Sequence, residues 1–139
     1  MKKLVFAALS LTAALVFAGC APGQTPAGAS ATAAEQTQAV RSISPEEARE
    51  LIGKPGVVLL DVRTQEEYDE GHIESAALLP YDAITAGSAV LPAGKDTTII
   101  VYCRSGRRSA IAAQALADLG YTRIYDLGGI QSWPYEITG

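Results

Sequence analysis

Val57-Val58-Leu59-Leu60 is a short, wholly apolar run rich in β-formers, and it constrains the fold more than any other feature of the chain. A strand that is apolar at every position must be covered on both faces, as in a parallel sheet flanked by helices. The remaining pattern agrees. Thr97 to Tyr102 is the strongest strand of the chain, Ile73 to Leu79 reads as a short strand closed by Pro80, and Ile124 to Leu127 as a last one before Gly128-Gly129. Between them lie helix signals. Ser44-Pro45-Glu46-Glu47 is a capping box with proline at the first helical position, opening a helix to about Ile52. Thr64-Gln65-Glu66-Glu67 is a second capping box, whose short helix stops at Gly71. Tyr81 to Val90 reads as one helical turn and a loop. Ile111, Ala112, Ala115, Leu116 and Leu119 fall on one face of a further helix, which Gly120 ends. Strands alternating with helices predict an α/β fold with a mostly parallel central sheet and helices on both faces. Ligands of such sheets bind at the carboxyl ends of the strands, and Cys103 stands at one.

The first residues belong to no core. Met1-Lys2-Lys3 is positive and Leu4 to Ala18 is apolar apart from Ser10 and Thr12, which reads as a signal peptide over residues 1–19. A spanning helix needs roughly 20 apolar residues. The run ends in Phe17-Ala18-Gly19-Cys20, which resembles the bacterial lipobox, with Phe17 in place of its usual aliphatic residue. That resemblance implies lipidation of Cys20 and a lipid anchor in the cell envelope, facing the periplasm or the exterior. Residues 21 to 41 are mostly Ala, Thr, Gln, Gly and Pro, so residues 20–41 read as the lipidated cysteine and a flexible linker. The ordered domain is expected over 42–139, room for one domain and not two.

Loss of residues 1–19 removes Lys2 and Lys3 and leaves nine basic against fifteen acidic residues. An acidic chain argues against a nucleic-acid partner and against electrostatic docking on anionic lipid. With Cys20 consumed by lipid, Cys103 is the only thiol left, and a lone free thiol in an oxidising compartment calls for an explanation. One histidine and one free cysteine cannot make an ordinary zinc site, so no metal and no cofactor is expected. The expected state is a monomer.

The explanation for the thiol lies in Val101-Tyr102-Cys103-Arg104-Ser105-Gly106-Arg107-Arg108-Ser109. This stretch leaves a buried strand and opens a helix, where successive backbone N–H groups can form a nest for an anion. Gly106 suits the positive φ or close approach of such a turn. Arg104, Arg107 and Arg108 place three of the seven arginines within five positions. A free cysteine titrates near ~8.5, and helix N-termini and cations lower that to between ~3.5 and ~7.5. A cysteine buried merely for packing would have apolar neighbours instead.

Cys103 to Ser109 resembles the active-site loop of single-domain rhodaneses, with the cysteine, the glycine three positions on and the arginine five positions on in place. Leu60-Asp61-Val62-Arg63 with Glu67-Tyr68 and Gly71-His72-Ile73 is similar to the family's other signature segment, and Gly128-Gly129-Ile130 with Trp133 to its C-terminal end. The likeness covers about residues 42 to 139. Ser75 stands where glycine is common and Leu78 where asparagine is common. The resemblance implies a rhodanese-like fold and a thiosulfate sulfurtransferase. Cys103 would be the catalytic nucleophile, and Arg104, Ser105, Gly106, Arg107, Arg108 and Ser109 would bind the substrate. Thiosulfate or a similar anionic donor would load a persulfide, and cyanide or a thiol would unload it. Arg108 would close the loop and help hold the anion, while Arg104 and Arg107 steer donors at its mouth. Asp61 would lie beneath the loop and support it by pairing with an arginine, and Arg63 would pair with an acid such as Glu67. His72 reads as a hydrogen-bonded structural residue.

Two other functions compete. Cysteine phosphatases and arsenate reductases of related fold use Cys-x5-Arg, a loop one residue longer than Cys103 to Arg108. A non-catalytic, envelope-tethered binding or persulfide-presenting module is the other alternative.

Overall fold

The computed structural model describes residues 39–139, so the leader, Cys20 and nearly all of the linker lie outside the described residues. The elements are β1 (Val40–Ser42), α1 (Pro45–Leu51), β2 (Val57–Asp61), α2 (Gln65–Glu70), β3 (Ala77–Leu78), β4 (Thr98–Cys103), α3 (Arg107–Asp118) and β5 (Arg123–Gly129), with 3-10 turns at Tyr81–Ala83 and Ile130–Ser132. The strands form one sheet in the order β1-β5-β4-β2-β3, and all neighbours are parallel. No helix among the described residues is long and apolar enough to cross a membrane.

Central strand β4 shows why the apolar runs are needed. Ile99, Val101 and Cys103 join the core on one face with Ala112, Ala113 and Leu116 of α3. Ile100 and Tyr102 join the core on the other with Ala48 of α1, Leu59 and Leu127. Each fully buried Leu or Ile contributes about 1.5–3 kcal/mol, and β4 supplies such side chains to both faces. Both capping boxes form. The Ser44 hydroxyl accepts from the Glu47 N–H at 3.3 Å while Glu47 accepts from the Ser44 N–H at 3.2 Å, and Thr64 and Glu67 exchange the same bonds at 3.4 and 3.2 Å. At the end of α3, the Gly120 N–H reaches the Ala117 carbonyl and the Tyr121 N–H the Leu116 carbonyl, at 2.9 and 3.1 Å.

Four local expectations need correction. Val40 and Arg41, read as linker, pair with Ile124 and Tyr125 as edge strand β1; three residues are too few for periodicity to register. The strand expected over Ile73 to Leu79 shrinks to Ala77–Leu78. Ile73 to Ala76 is a turn closed by a 3.0 Å backbone bond, and Ser75 sits at φ 69°, which no strand admits. This also accounts for glycine being the residue suited to that position. The inward face of α3 is Ser109, Ala112, Ala113, Leu116 and Ala117, whereas Ile111 is 45% exposed. The buried stripe follows small alanines that let the helix lie close to the sheet. Lastly, β5 extends from Arg123 to Gly129, with a register shift that pairs Val101 with Asp126 and then Tyr102 with Gly128. That bulge carries Gly128-Gly129 to the end of β4.

Candidate active site

β4 ends at Cys103 and α3 begins at Arg107, so the loop between them lies at the carboxyl edge of the sheet. Gly106 caps α3 at φ 102°, and its N–H donates to Cys103 Sγ at 3.1 Å. Cys103 is 1% exposed. Burial pushes its thiol up, but the amides of Ser109, Gly106 and Ser105 and the Ser109 hydroxyl outweigh burial and hold it below its ordinary value. The loop amides, more than the arginines, favour the thiolate.

The loop is held from two sides. Ser109, fully buried, donates its hydroxyl to the Gly106 carbonyl at 2.9 Å and toward the Gly128 carbonyl at 3.3 Å. Gly129 packs directly beneath: a Cβ there would stand 2.6 Å from the Arg104 carbonyl oxygen and 2.8 Å from Ser105 Cα. In the sequence Gly128-Gly129 belongs to a stretch resembling a family signature, with no part in the site assigned to it. Its signal was the glycine pair at a strand end, a mark of close backbone approach.

The arginines divide in an unexpected way. Arg108 forms a bidentate pair with Glu67, Nη1 to Oε2 at 2.6 Å and Nη2 to Oε1 at 2.8 Å. Hydrogen bonding from Arg108 outweighs burial and holds the Glu67 carboxyl down at about 2. Glu67 also raises the Arg108 guanidinium, with a smaller contribution from Cys103. Arg63, expected on Glu67, pairs instead with Asp61, Nη2 to Oδ2 at 2.6 Å and Nε to Oδ1 at 2.9 Å. Two residues apart at a strand end, the two side chains leave on the same side. Arg63 Nη2 also donates to the Gly71 carbonyl at 2.7 Å.

Asp61 therefore pairs with an arginine, but not one of the loop. It is fully buried and lies opposite Tyr102, the residue before Cys103, in the pairing of β2 with β4. The Tyr102 hydroxyl accepts the Ile73 N–H at 3.1 Å, and burial with the Asp61 charge raises the phenol far above its ordinary range.

Arg104, Ser105 and Arg107 are exposed, and among the described residues neither of these arginines forms an ion pair. His72 lies among structural partners. Its Nδ1 is 2.9 Å from the Tyr68 carbonyl, its ring stacks on Tyr68 at 3.6 Å, and its backbone pairs with Thr138. Among the described residues, no cluster of three His, Cys, Asp or Glu side chains could hold a metal. A groove of about 600 Å³ bordered by Arg49, Glu74, Trp133 and Tyr135 includes no residue of the Cys103 loop, so chemistry and not volume marks the site.

The arrangement is a buried thiol held below its ordinary value by backbone donors, in a loop that also carries the exposed Arg104 and Arg107, and it suits covalent transfer of a group to sulfur. Comparison with known proteins agrees. The profile of the rhodanese-like domain matches residues 44–135. Thiosulfate sulfurtransferase GlpE of Coxiella burnetii is 37% identical over 94 residues, 67% of this chain and 86% of that protein. Thiosulfate sulfurtransferase PspE of Escherichia coli is 33% identical over 72 residues, 52% of this chain and 69% of that protein. The crystal structure of a rhodanese-related protein from Thermoplasma volcanium matches with a TM-score of 0.60 and 32% identity, over 70% of this chain and 97% of that one.

Proposed function

Because the chain belongs to the rhodanese-like domain family, we propose that it transfers sulfane sulfur from thiosulfate or a similar donor, through a persulfide on Cys103, to cyanide or a thiol. Relatives named as thiosulfate sulfurtransferases support rhodanese-type sulfur transfer as the class of activity. The observation that carries the mechanism is the Gly106 amide 3.1 Å from Sγ of a thiol held below its ordinary value.

The Cys103 thiolate attacks the outer sulfur of thiosulfate. A bond forms between Sγ and that sulfur, the bond to the sulfonate sulfur breaks, and its electron pair leaves with sulfite. The terminal persulfide sulfur then carries the negative charge, which the loop amides of Ser105, Gly106 and Ser109 would stabilise. Cyanide attacks the terminal sulfur, leaves as thiocyanate and restores the thiolate. Where Cys103 is ionised, its attack needs no general base. Arg104 and Arg107 at the mouth draw in the anionic donor.

A thiosulfate:cyanide assay tests this reading. Thiocyanate should form with the wild-type chain and not with Cys103→Ser. A folded protein that forms none leaves the non-catalytic persulfide-presenting or binding module ahead. The phosphatase reading has less support, since Cys-x4-Arg makes a smaller loop and Glu67 already engages Arg108.

The same proposal covers placement in the cell. Residues 1–19 act as a signal peptide, and lipid on Cys20 anchors a monomeric domain to the envelope, each buried CH₂ of an acyl chain adding about 0.8 kcal/mol. Cys20→Ser should give a soluble or unprocessed form; unchanged processing and membrane association would refute the anchor.

A further inference from the structure

Arg108 is the one loop arginine whose fork is already taken. Its two terminal nitrogens meet both oxygens of Glu67 at 2.6 and 2.8 Å, across 41 positions of sequence. Glu67 is no freely swinging partner. Its Oε2 also accepts the Thr64 N–H at 3.2 Å, and its own N–H donates to the Thr64 hydroxyl at 3.4 Å, so the capping box of α2 fixes the carboxylate where it meets Arg108. With side-chain exposures of 24% and 22%, the pair is partly screened by solvent, and such pairs add little to stability. Its place beside the nucleophile is the feature that stability leaves unused.

A tetrahedral oxyanion settling over Cys103 would recruit that same guanidinium fork, because two parallel N–H groups match two of its oxygens. Glu67 occupies the fork and adds a negative charge against a dianion. A single sulfur atom on Sγ does not need the fork. It would contact the loop amides, and the sulfonate end of a donor would be left to Arg104 and Arg107, which are exposed and without an ion pair among the described residues.

We propose that Glu67 is a specificity-determining residue: by holding the guanidinium of Arg108 it keeps tetrahedral oxyanions such as phosphate out of the Cys103 loop and reserves the loop for sulfur. The inference rests on the sulfurtransferase reading of this loop, but its test does not depend on turnover.

The measurement is the rate of iodoacetamide alkylation at Cys103 in the full chain, followed at its peptide by mass spectrometry, with and without millimolar inorganic phosphate. Wild-type alkylation should be insensitive to phosphate. Glu67→Gln frees Arg108 yet keeps an acceptor for the cap, since glutamine also serves in a capping box. In this variant phosphate should protect Cys103, with an apparent affinity about 10- to 100-fold tighter, the range for one charge-assisted contact. Adding Arg108→Ala should abolish the protection. Thr64→Ala weakens the same cap but retains the carboxylate, and should stay insensitive. Should Glu67→Gln not fold, Glu67→Asp withdraws the carboxylate by one methylene and is read in the same way. Phosphate protection of the wild type, or no protection in the folded Glu67 variant, would overturn the proposal. Absence of thiocyanate formation would fault the sulfurtransferase reading and leave this result standing.

Discussion

The backbone N–H of Gly106 points at Sγ of Cys103 from 3.1 Å, because the left-handed conformation of Gly106 turns the first amides of α3 back toward the end of β4. Burial alone would raise the thiol, and the amides of Ser109, Gly106 and Ser105 reverse the sign. Alkylation of Cys103 should therefore titrate below the usual ~8.5 of a free cysteine. Ser109→Ala removes the hydroxyl that pins the Gly106 carbonyl and, by loosening the loop amides, should move the inflection upward. A wild-type profile inflecting at or above ~8.5 would show that burial wins.

Gly129 sets how closely β5 can lie under the loop. With 2.6 Å between a Cβ and the Arg104 carbonyl, Gly129→Ala must push backbone against backbone. The expected cost is about 1–3 kcal/mol, as for other overpacking changes. Cys103 reactivity should fall in the folded fraction too, because the displaced residues carry the Ser105 and Gly106 amides. Denaturant midpoints and alkylation rates measured on the same samples separate the two effects.

Asp61→Asn should destabilise strongly. Arg63 is 6% exposed and Asp61 fully buried, so the variant leaves a guanidinium in the interior without its counter-charge. Breaking a buried pair from one side costs about 3–5 kcal/mol. Replacing both members by apolar residues should cost less than the single change, which a double-mutant cycle in urea would read.

The Glu67–Arg108 pair also predicts a pH window. Glu67 titrates at about 2 in the folded chain against 4.5 as its ordinary value. Its contribution to stability is present above 4.5 and is lost as the pH falls toward 2. Glu67→Gln should remove that part of the acid dependence, and Thr64→Ala should not. Urea midpoints at several pH values between these limits would detect it.

Much of the fold is legible in the sequence because its signals are local. The capping boxes at Ser44 and Thr64 need only four residues each, and the apolar runs of β2 and β4 announce burial on both faces. The Cys103 loop is legible for the same reason: its thiol, glycine and arginines are contiguous. What escapes is set by partners distant in sequence. Nothing local assigns Glu67 to Arg108, 41 positions on, which leaves Arg63 to Asp61. Gly129 enters the site only through the β5 bulge, which brings it beside Cys103. Ile73 looks like strand because it is apolar and buried, but the positive φ of Ser75 turns the chain first. Ile111 fits the helical stripe by period and still faces solvent, because the sheet receives the alanine side of α3.

Intact-mass analysis after incubation with thiosulfate tests the central claim most directly. The wild-type chain should gain the mass of one sulfur atom, mapped to Cys103, and cyanide should remove it. Cys103→Ser should gain nothing. Replacing Arg104 and Arg107 together by alanine should slow loading about 10- to 100-fold, the effect of losing a charge-assisted contact of about 1.5–3 kcal/mol. A folded wild-type protein that stays unmodified where an established sulfurtransferase is loaded, or an adduct that persists in Cys103→Ser, would contradict the account.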